Sequence, residues 1–379
     1  MNRIIAYLGI LFLILTLALS PVIAGEKIDP SLARVETIPW YDIRHLGVEG
    51  KGWTDTKSLY DRLPAKAEGV VRGPVWNLSL DSAGMCVRFV TDANEIQARW
   101  ELRSNSLAMP HMPATGVSGL DLYVKDASGM WRWLATGRPT KFPVNSATLA
   151  KNLPEGTREY LLYLPLYNGV KMVEIGIPKN STLWKAPPYP DHRKPIVFYG
   201  TSITQGGCAS RTGMVHTAIV GRRLNYPVIN LGFSGNGRME SEMGDLFMQL
   251  DPSVYVLDCL PNMNGEAVAE RVEPFVRKLR KAHPETPILF VEDRTYSDAF
   301  MNESRKQRNT ENRRELRKVY RRLESEGVKY LYYLPGERLL RDDRDNLGTV
   351  DGSHPTDLGF MRQADAFCDV LEIILLERK

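Results

Sequence analysis

The sequence predicts an all-β sandwich or jelly roll followed by an α/β domain with a parallel, doubly wound sheet. Three observations predict it. Residues from about 36 to 185 carry short alternating apolar runs, broken by Gly, Pro and Asn, with little helical period. From residue 193 onward, short apolar runs alternate with amphipathic stretches of helical length, as in successive βαβ units. Between the two lies a proline-rich stretch, residues 187–195, which reads as a linker. A chain of 379 residues is long enough for two such units.

The elements follow in chain order. Residues 1–24 read as a signal peptide: Arg3 supplies positive charge, residues 4–19 are apolar, and Val22 and Ala24 are small residues before a cut at Gly25. The alternative is an uncleaved anchor, since about 20 apolar residues can span a bilayer. No later segment is apolar enough to span one, so the mature chain is expected in the periplasm or outside the cell, without stable membrane insertion. In residues 36–185, "SAGMCVRFVTD", "EIQARWELR", "GLDLYVKD" and "MWRWLATG" read as strands. Two more runs flank Asn168-Gly169, a hairpin signal. In residues 193–379, strands "PIVFYG", "YPVINLG", "SVYVLDCL", "PILFVED" and "VKYLYYLP" alternate with helices near 215–224, 241–250, 265–284 and 303–326, and a helix at 358–376 closes the chain.

Charge excludes one class of function. The net charge is only +4, and the Lys/Arg-rich stretch 305–322 also holds Glu311, Glu315 and apolar residues at helical spacing. It reads as a solvated helix face, not a nucleic-acid surface. Four cysteines (Cys86, Cys208, Cys259, Cys368) without metal-ligand spacing are too few for a disulfide framework and read as buried thiols.

Sites in open α/β sheets lie beyond the carboxyl ends of the strands. Four segments fall there: Gly200-Thr201-Ser202, the loop with Gly235, Pro261-Asn262, and Asp351-Gly352-Ser353-His354 before the last helix. This set suits acyl transfer. A serine hydroxyl needs a base, which His354 supplies, and Asp351 can orient and support the imidazolium. The backbone N–H groups of Ser202 and Gly235 and the side-chain amide of Asn262 can stabilise an oxyanion. Neither a metal nor an organic cofactor is needed.

These residues resemble the SGNH, or GDSL, hydrolase superfamily, whose four blocks carry Ser, Gly, Asn and Asp-x-x-His in that order. They fall on Ser202 in "YGTSIT", Gly235 in "NLGFSGNG", Asn262 in "LPNM", and Asp351 with His354 in "DGSHPTDLG". "GLDLY" at residues 119–123 resembles the N-terminal module of a two-domain branch. The resemblance implies a flavodoxin-like catalytic domain and an esterase using Ser202, Asp351 and His354, with Ser202, Gly235 and Asn262 as the oxyanion hole. Two departures stand out: GDS becomes Gly200-Thr201-Ser202, and GGND becomes Leu260-Pro261-Asn262-Met263.

Other residues compete for roles. Cys208 follows the serine but has no base. Arg211 is a candidate for an acidic substrate group. His216 reads as a helix-face residue near the site, and Glu292, Asp293 and Arg294 as a salt-linked turn, with substrate contact as the alternative. The tryptophans of the first half read as core, with sugar stacking as the alternative. Residues 104–118, a long loop rich in Met, Pro and Ser, are expected to rim the catalytic mouth, and removal of residues 25–185 is expected to leave the chemistry while weakening bulky substrates. The expected function is an exported serine esterase acting on a small-molecule or glycan ester, with O-acetylated carbohydrate as substrate. Lipid or thioester hydrolysis, acyl transfer, and a vestigial carbohydrate-binding protein are the alternatives.

Overall fold

The computed structural model describes residues 24–341 and 343–377. The expected signal peptide, apart from Ala24, lies outside them. Eleven strands of the first half run in chain order as β1 (Arg34–Val35), β2 (Pro39–Asp42), β3 (Val48–Glu49), β4 (Cys86–Thr91), β5 (Ile96–Leu102), β6 (Leu120–Lys125), β7 (Trp131–Gly137), β8 (Val144–Ala150), β9 (Arg158–Tyr163), β10 (Val170–Gly176) and β11 (Leu183–Lys185). They form two antiparallel sheets, ordered β1-β2-β10-β5-β8 and β11-β4-β9-β6-β7, with β3 beside β4. Phe89, Trp100, Leu122, Tyr160 and Ile175 fill the space between them.

Strand β5 alternates buried and half-buried residues as the sequence predicts. Strand β4 is buried throughout, because its second face is covered as well. Val87 and Phe89 point into the sandwich, while Cys86, with Leu161 and Tyr163 of β9, packs on the α/β domain.

Two expectations about this half are corrected. Strands β9 and β10 do not form a hairpin: β9 pairs with β4 and β6, and β10 with β2 and β5. The chain at Asn168 crosses between sheets. The buried Asn168 side chain accepts from Ser104 N (3.0 Å) and donates to Ser104 O (2.9 Å) and Ser118 Oγ (3.0 Å). Residues 187–195 are not a loose tether either. Tyr189 donates to Glu49 (3.1 Å), and its ring lies 3.9 Å from the Arg88 guanidinium.

The second half holds β12 (Ile196–Gly200), β13 (Val228–Gly232), β14 (Val254–Asp258), β15 (Ile288–Val291) and β16 (Leu331–Leu334), all parallel, in the order β13-β12-β14-β15-β16. By chain order of these five strands this is 2-1-3-4-5, the flavodoxin-like arrangement, with its switch point between β12 and β14. The helices are α1 (Gly73–Ser79) and α2 (Ala114–Val117) in the first half, then α3 (Ser202–Gln205), α4 (His216–Leu224), α5 (Ser241–Phe247), α6 (Gly265–Ala282), α7 (Glu303–Ser325) and α8 (Asp357–Leu376). Alternate strand residues feed opposite layers. Val197 and Tyr199 face α5, α6 and α7, whereas Ile196 and Phe198 face α4 and α8.

Residues 53–80, expected within the sandwich, instead complete the hydrolase core. Trp53, Leu63, Val75 and Trp76 join Phe247 and Leu250 on the α5 side of the parallel sheet. Arg62, 2% exposed, donates from Nη1 to the carbonyls of Asn230 (3.2 Å) and Gly232 (2.7 Å), at the end of edge strand β13. The segment thereby covers a sheet edge.

Candidate active site

Strand β12 ends at Gly200, and Thr201 caps the short helix α3, its hydroxyl accepting from Ile203 N (3.3 Å). Ser202 is therefore the first helical residue, and an N–H at that position has no intrahelical acceptor. Behind it, Thr204 Oγ1 donates to Asp258 Oδ2 (3.0 Å), and Gln205 bonds Asp81 (3.0 Å) and Ser234 N (3.0 Å). The loop that carries Ser202 is thus tied to the ends of β13 and β14.

The structure brings Ser202, His354 and Asp351 into one hydrogen-bonded chain. His354 Nε2 lies 2.8 Å from Ser202 Oγ, and His354 Nδ1 lies 2.8 Å from Asp351 Oδ2. A carboxylate on Nδ1 favours the tautomer with its proton there, which leaves Nε2 as an acceptor facing Ser202 Oγ. Asp351 Oδ1 accepts from Ser353 N (3.0 Å) and His354 N (2.7 Å). Partial burial raises the Asp351 pKa, but the hydrogen bonds from His354 and Ser353 outweigh it and hold it at about 2. The group is an anion at neutral pH.

Gly235 and Asn262 stand on the loops after β13 and β14. Gly235 has φ +70°, a left-handed conformation suited to glycine, with open space on the side a Cβ would occupy. A Cβ on Gly237 would meet Gly200 O at 1.9 Å, so this loop is pressed onto the strand that carries the serine. The Asn262 amide faces Asn236 N and Gly237 N, which both also donate to Phe233 O; with its oxygen turned toward them it accepts at 2.9 and 3.2 Å, and Nδ2 then points the opposite way.

Ser202 and His354 open into a cleft of about 480 Å³. Ser234 and Asn236 line one side; Pro74, Asn77, Leu78, Met109, His111 and Tyr167 of the first half line the other. Met109 and His111 belong to the loop expected at the rim, and the His111 ring centroid lies 6.0 Å from that of His354.

The competing residues take structural places. Cys208 is buried, and burial together with the nearby Asp351 charge pushes its thiol pKa up to about 11. All four cysteines are buried and unbridged. His216 is not on an exposed helix face: its ring lies between Phe360 and Phe367, and burial, with the Arg294 charge, pushes its pKa down to about 3. Trp40, Trp53, Trp76 and Trp100 are core, while Trp133 is half exposed.

Arg211, the candidate for an acidic substrate group, is not among the residues lining the Ser202–His354 cleft. Its Nη1 donates to Asp121 Oδ2 and Tyr123 Oη, both at 2.6 Å. The fully buried Asp121 also accepts from Gly213 N (3.0 Å), Trp133 Nε1 (2.8 Å) and Thr136 Oγ1 (3.1 Å). The Asp and Tyr of "GLDLY" therefore fasten the sandwich to the loop that follows the serine.

One residue was missed by sequence reasoning in this role. Glu292, Asp293 and Arg294 are buried, and Glu292 is salt-linked to Arg317 (2.7 Å) as expected. Arg294, however, donates from Nε to Ser353 O (2.6 Å) and from Nη2 to Ser353 Oγ (2.9 Å), clamping the turn between Asp351 and His354. Its position just past a strand end was the available signal.

Residues 193–372 match the GDSL-like lipase/acylhydrolase family, and residues 38–183 match the family described as the N-terminus of SGNH-hydrolase-type esterases. The crystal structure of a GDSL-like lipase from Bacteroides ovatus is similar, with 32% identity and a TM-score of 0.83 over 89% of this chain and 98% of that one. The salicylyl-acyltransferase SsfX3 of a tetracycline biosynthetic pathway shares the fold at 18% identity and a TM-score of 0.68, over 86% and 94% of the two chains. A family two carbohydrate esterase from Clostridium thermocellum, solved with cellohexaose, does so at 14% identity and 0.53, over 78% and 96%. The comparison with curated proteins finds no match. The chain belongs to the GDSL-like lipase/acylhydrolase family, joined to an SGNH-type N-terminal module, and is a carboxylic ester hydrolase.

Proposed function

We propose that this chain is an exported deacylase that removes O-acetyl, or other short acyl, groups from carbohydrate through an acyl-Ser202 intermediate. One observation carries the mechanism: the continuous chain Ser202 Oγ–His354 Nε2–His354 Nδ1–Asp351, with 2.8 Å at each hydrogen bond, at the floor of an open cleft. Ser202 Oγ attacks the ester carbonyl as His354 Nε2 takes its proton. Asp351 stabilises the imidazolium without accepting the proton. The carbonyl oxygen, now an anion, is received by the N–H groups of Ser202 and Gly235 and by the Asn262 amide. Each such donor lowers the barrier by roughly 2.7–4 kcal/mol. Collapse expels the alcohol, which takes the proton from His354. Water then attacks the acyl-serine with His354 as base, returning the acid and the serine.

The carbohydrate reading draws on the open cleft, the module in front of it and the fold shared with a carbohydrate esterase. Export draws on residues 1–24, with cleavage before Gly25. Among the described residues no helix is long and apolar enough to cross a membrane. Gly25 N donates to Lys185 O (3.0 Å), so the chain just after the proposed cut is held against the sandwich.

The test is acetate release from O-acetylated oligosaccharides alongside 4-nitrophenyl acetate, butyrate and octanoate. The proposal expects acetate release and falling kcat/KM with acyl length. Ser202→Ala should lose at least about 10⁴-fold in kcat while folding normally. Preference for octanoate with no acetate release from saccharides would overturn the substrate, and full turnover by Ser202→Ala would overturn the mechanism.

A further inference from the structure

We propose that the cleft beside Asn262 binds an anionic group of the substrate, so that the natural ester is carried by an acidic saccharide whose carboxylate seats there. The inference rests on the deacylase reading above and narrows its substrate.

This second cleft, about 360 Å³, is lined by Arg238, Arg271 and Arg308 together with Asn262 and Asn264, and among the described residues no carboxylate lines it. Several inward-facing arginines elsewhere pair with acids, as Arg72 does with Glu240, Arg88 with Glu49 and Glu159, and Arg211 with Asp121, whereas buried Arg62 and Arg294 are held by backbone carbonyls and a serine. Arg238 Nε donates to Gly235 O (3.0 Å). Arg308 Nη2 donates to Pro261 O (2.8 Å) and Met263 O (2.9 Å), and its Nη1 to the Tyr296 hydroxyl. Arg271 has only a loose contact with its neighbour Glu270, at 3.6 Å. Among the described residues no carboxylate is hydrogen-bonded to Arg238 or Arg308, although the buried Asp293 lies near enough to Arg308 to interact with its charge.

The placement matters as much as the charge. Arg238 holds the carbonyl of Gly235, and Arg308 holds the two carbonyls flanking Asn262. Both guanidinium groups are therefore fixed relative to the backbone and amide that would receive the reacting carbonyl oxygen. The cleft also meets the first turn of the 18-residue helix α6, capped by Asn264, whose positive end adds to the same field. A planar guanidinium favours a carboxylate geometrically as well as electrostatically. An acetyl group carries no charge of its own, so with acetyl as the acyl group the anion lies on the alcohol, the saccharide side.

The experiment compares an O-acetylated methyl glucuronoside with the same compound bearing a primary amide in place of the acid, with 4-nitrophenyl acetate as reference. For the wild type, kcat/KM on the acid should exceed that on the amide by about tenfold at low ionic strength, chiefly through KM. The ratio should shrink severalfold in about 0.5 M NaCl, as screening of exposed charge requires. Arg271→Gln, whose side chain does not hold the Gly235 or Asn262 loops, should lower the ratio by about threefold or more. Equal constants on acid and amide, a preference indifferent to salt, or cleavage of the aryl acetate with neither saccharide hydrolysed overturns the anion site while leaving the serine chemistry standing. Failure to hydrolyse any of the three esters removes the deacylase reading itself, and the anion site with it.

Discussion

Asp351 and Cys208 sit near one another, and their environments push them in opposite directions. Hydrogen bonds from His354 and Ser353 overcome burial and hold Asp351 at a pKa of about 2, below its ordinary 3.8. A depressed acid contributes stability that is present above its unfolded pKa and lost as pH falls through the folded one. The stability difference between wild type and Asp351→Asn should therefore be largest above about pH 4 and fade toward pH 2. Urea unfolding at a series of pH values checks this; a difference that grows on acidification contradicts it. In catalysis the same variant should lose about 10³–10⁴-fold in kcat, because an amide does not hold the imidazole in the accepting tautomer. Cys208 is pushed up by burial and by the Asp351 charge to about 11, so it stays a thiol. At pH 8 the folded protein should react slowly with a thiol-specific disulfide reagent and the unfolded chain with all four cysteines. Fast stoichiometric labelling of native Cys208 would show that its environment has been misread.

At the scale of elements, the "GLDLY" strand works as a latch. Asp121 collects a guanidinium, a backbone N–H, an indole and a hydroxyl, two of them from the loop after the nucleophile. Asp121→Ala leaves those donors without their acceptor. It should lower stability by about 3 kcal/mol, read as a shift in the urea midpoint, and contradiction is a loss under about 1 kcal/mol. The Arg294 clamp makes a subtler prediction. Arg294→Lys cannot reproduce both bonds to Ser353, so kcat should fall about tenfold or more at nearly constant KM. An unchanged kcat would show that the turn holds itself. These elements also show what was legible in the sequence. The longer helices of the second half were readable to within a few residues, because apolar period and strand-end glycines are local signals, whereas the four-residue α3 was not. The Asp351–His354 pair was readable because three residues and one turn hold it together. The pairing of β9 and β10 was not, since Asn168-Gly169 is a turn signal whichever sheet the next strand joins. Helix α1 was missed because seven residues, opening with Gly73-Pro74, show almost no helical period. The partner of Arg211 was hidden because Asp121 lies 90 residues earlier in the chain.

The described residues form three hydrophobic clusters, and two of them draw residues from both halves of the chain. Trp53, Leu63 and Trp76 stand in the same cluster as the α5 and α6 side chains, and Tyr123 and Tyr163 in the same cluster as α4 and α8. This revises what deletion of residues 25–185 should do. The sequence suggested a working hydrolase with a missing wall; the packing indicates an uncovered core and an unprotected edge at β13. The truncated chain should be insoluble or lack fixed tertiary structure by near-ultraviolet circular dichroism. A soluble truncated domain that cleaves 4-nitrophenyl acetate would contradict this. For the same reason the full chain should unfold in one transition, with near- and far-ultraviolet signals coincident in urea. Two separated transitions would mean that the halves hold themselves independently.

The central claim is that the ester's acyl group passes through Ser202. Mass spectrometry of the protein quenched during turnover of a slow short-chain aryl ester tests it most directly. The account predicts one acyl adduct per chain, mapped to Ser202, that disappears on chase with water and is absent from Ser202→Ala. An adduct on another residue, or sustained turnover with no adduct in the wild type and undiminished activity in Ser202→Ala, would contradict it.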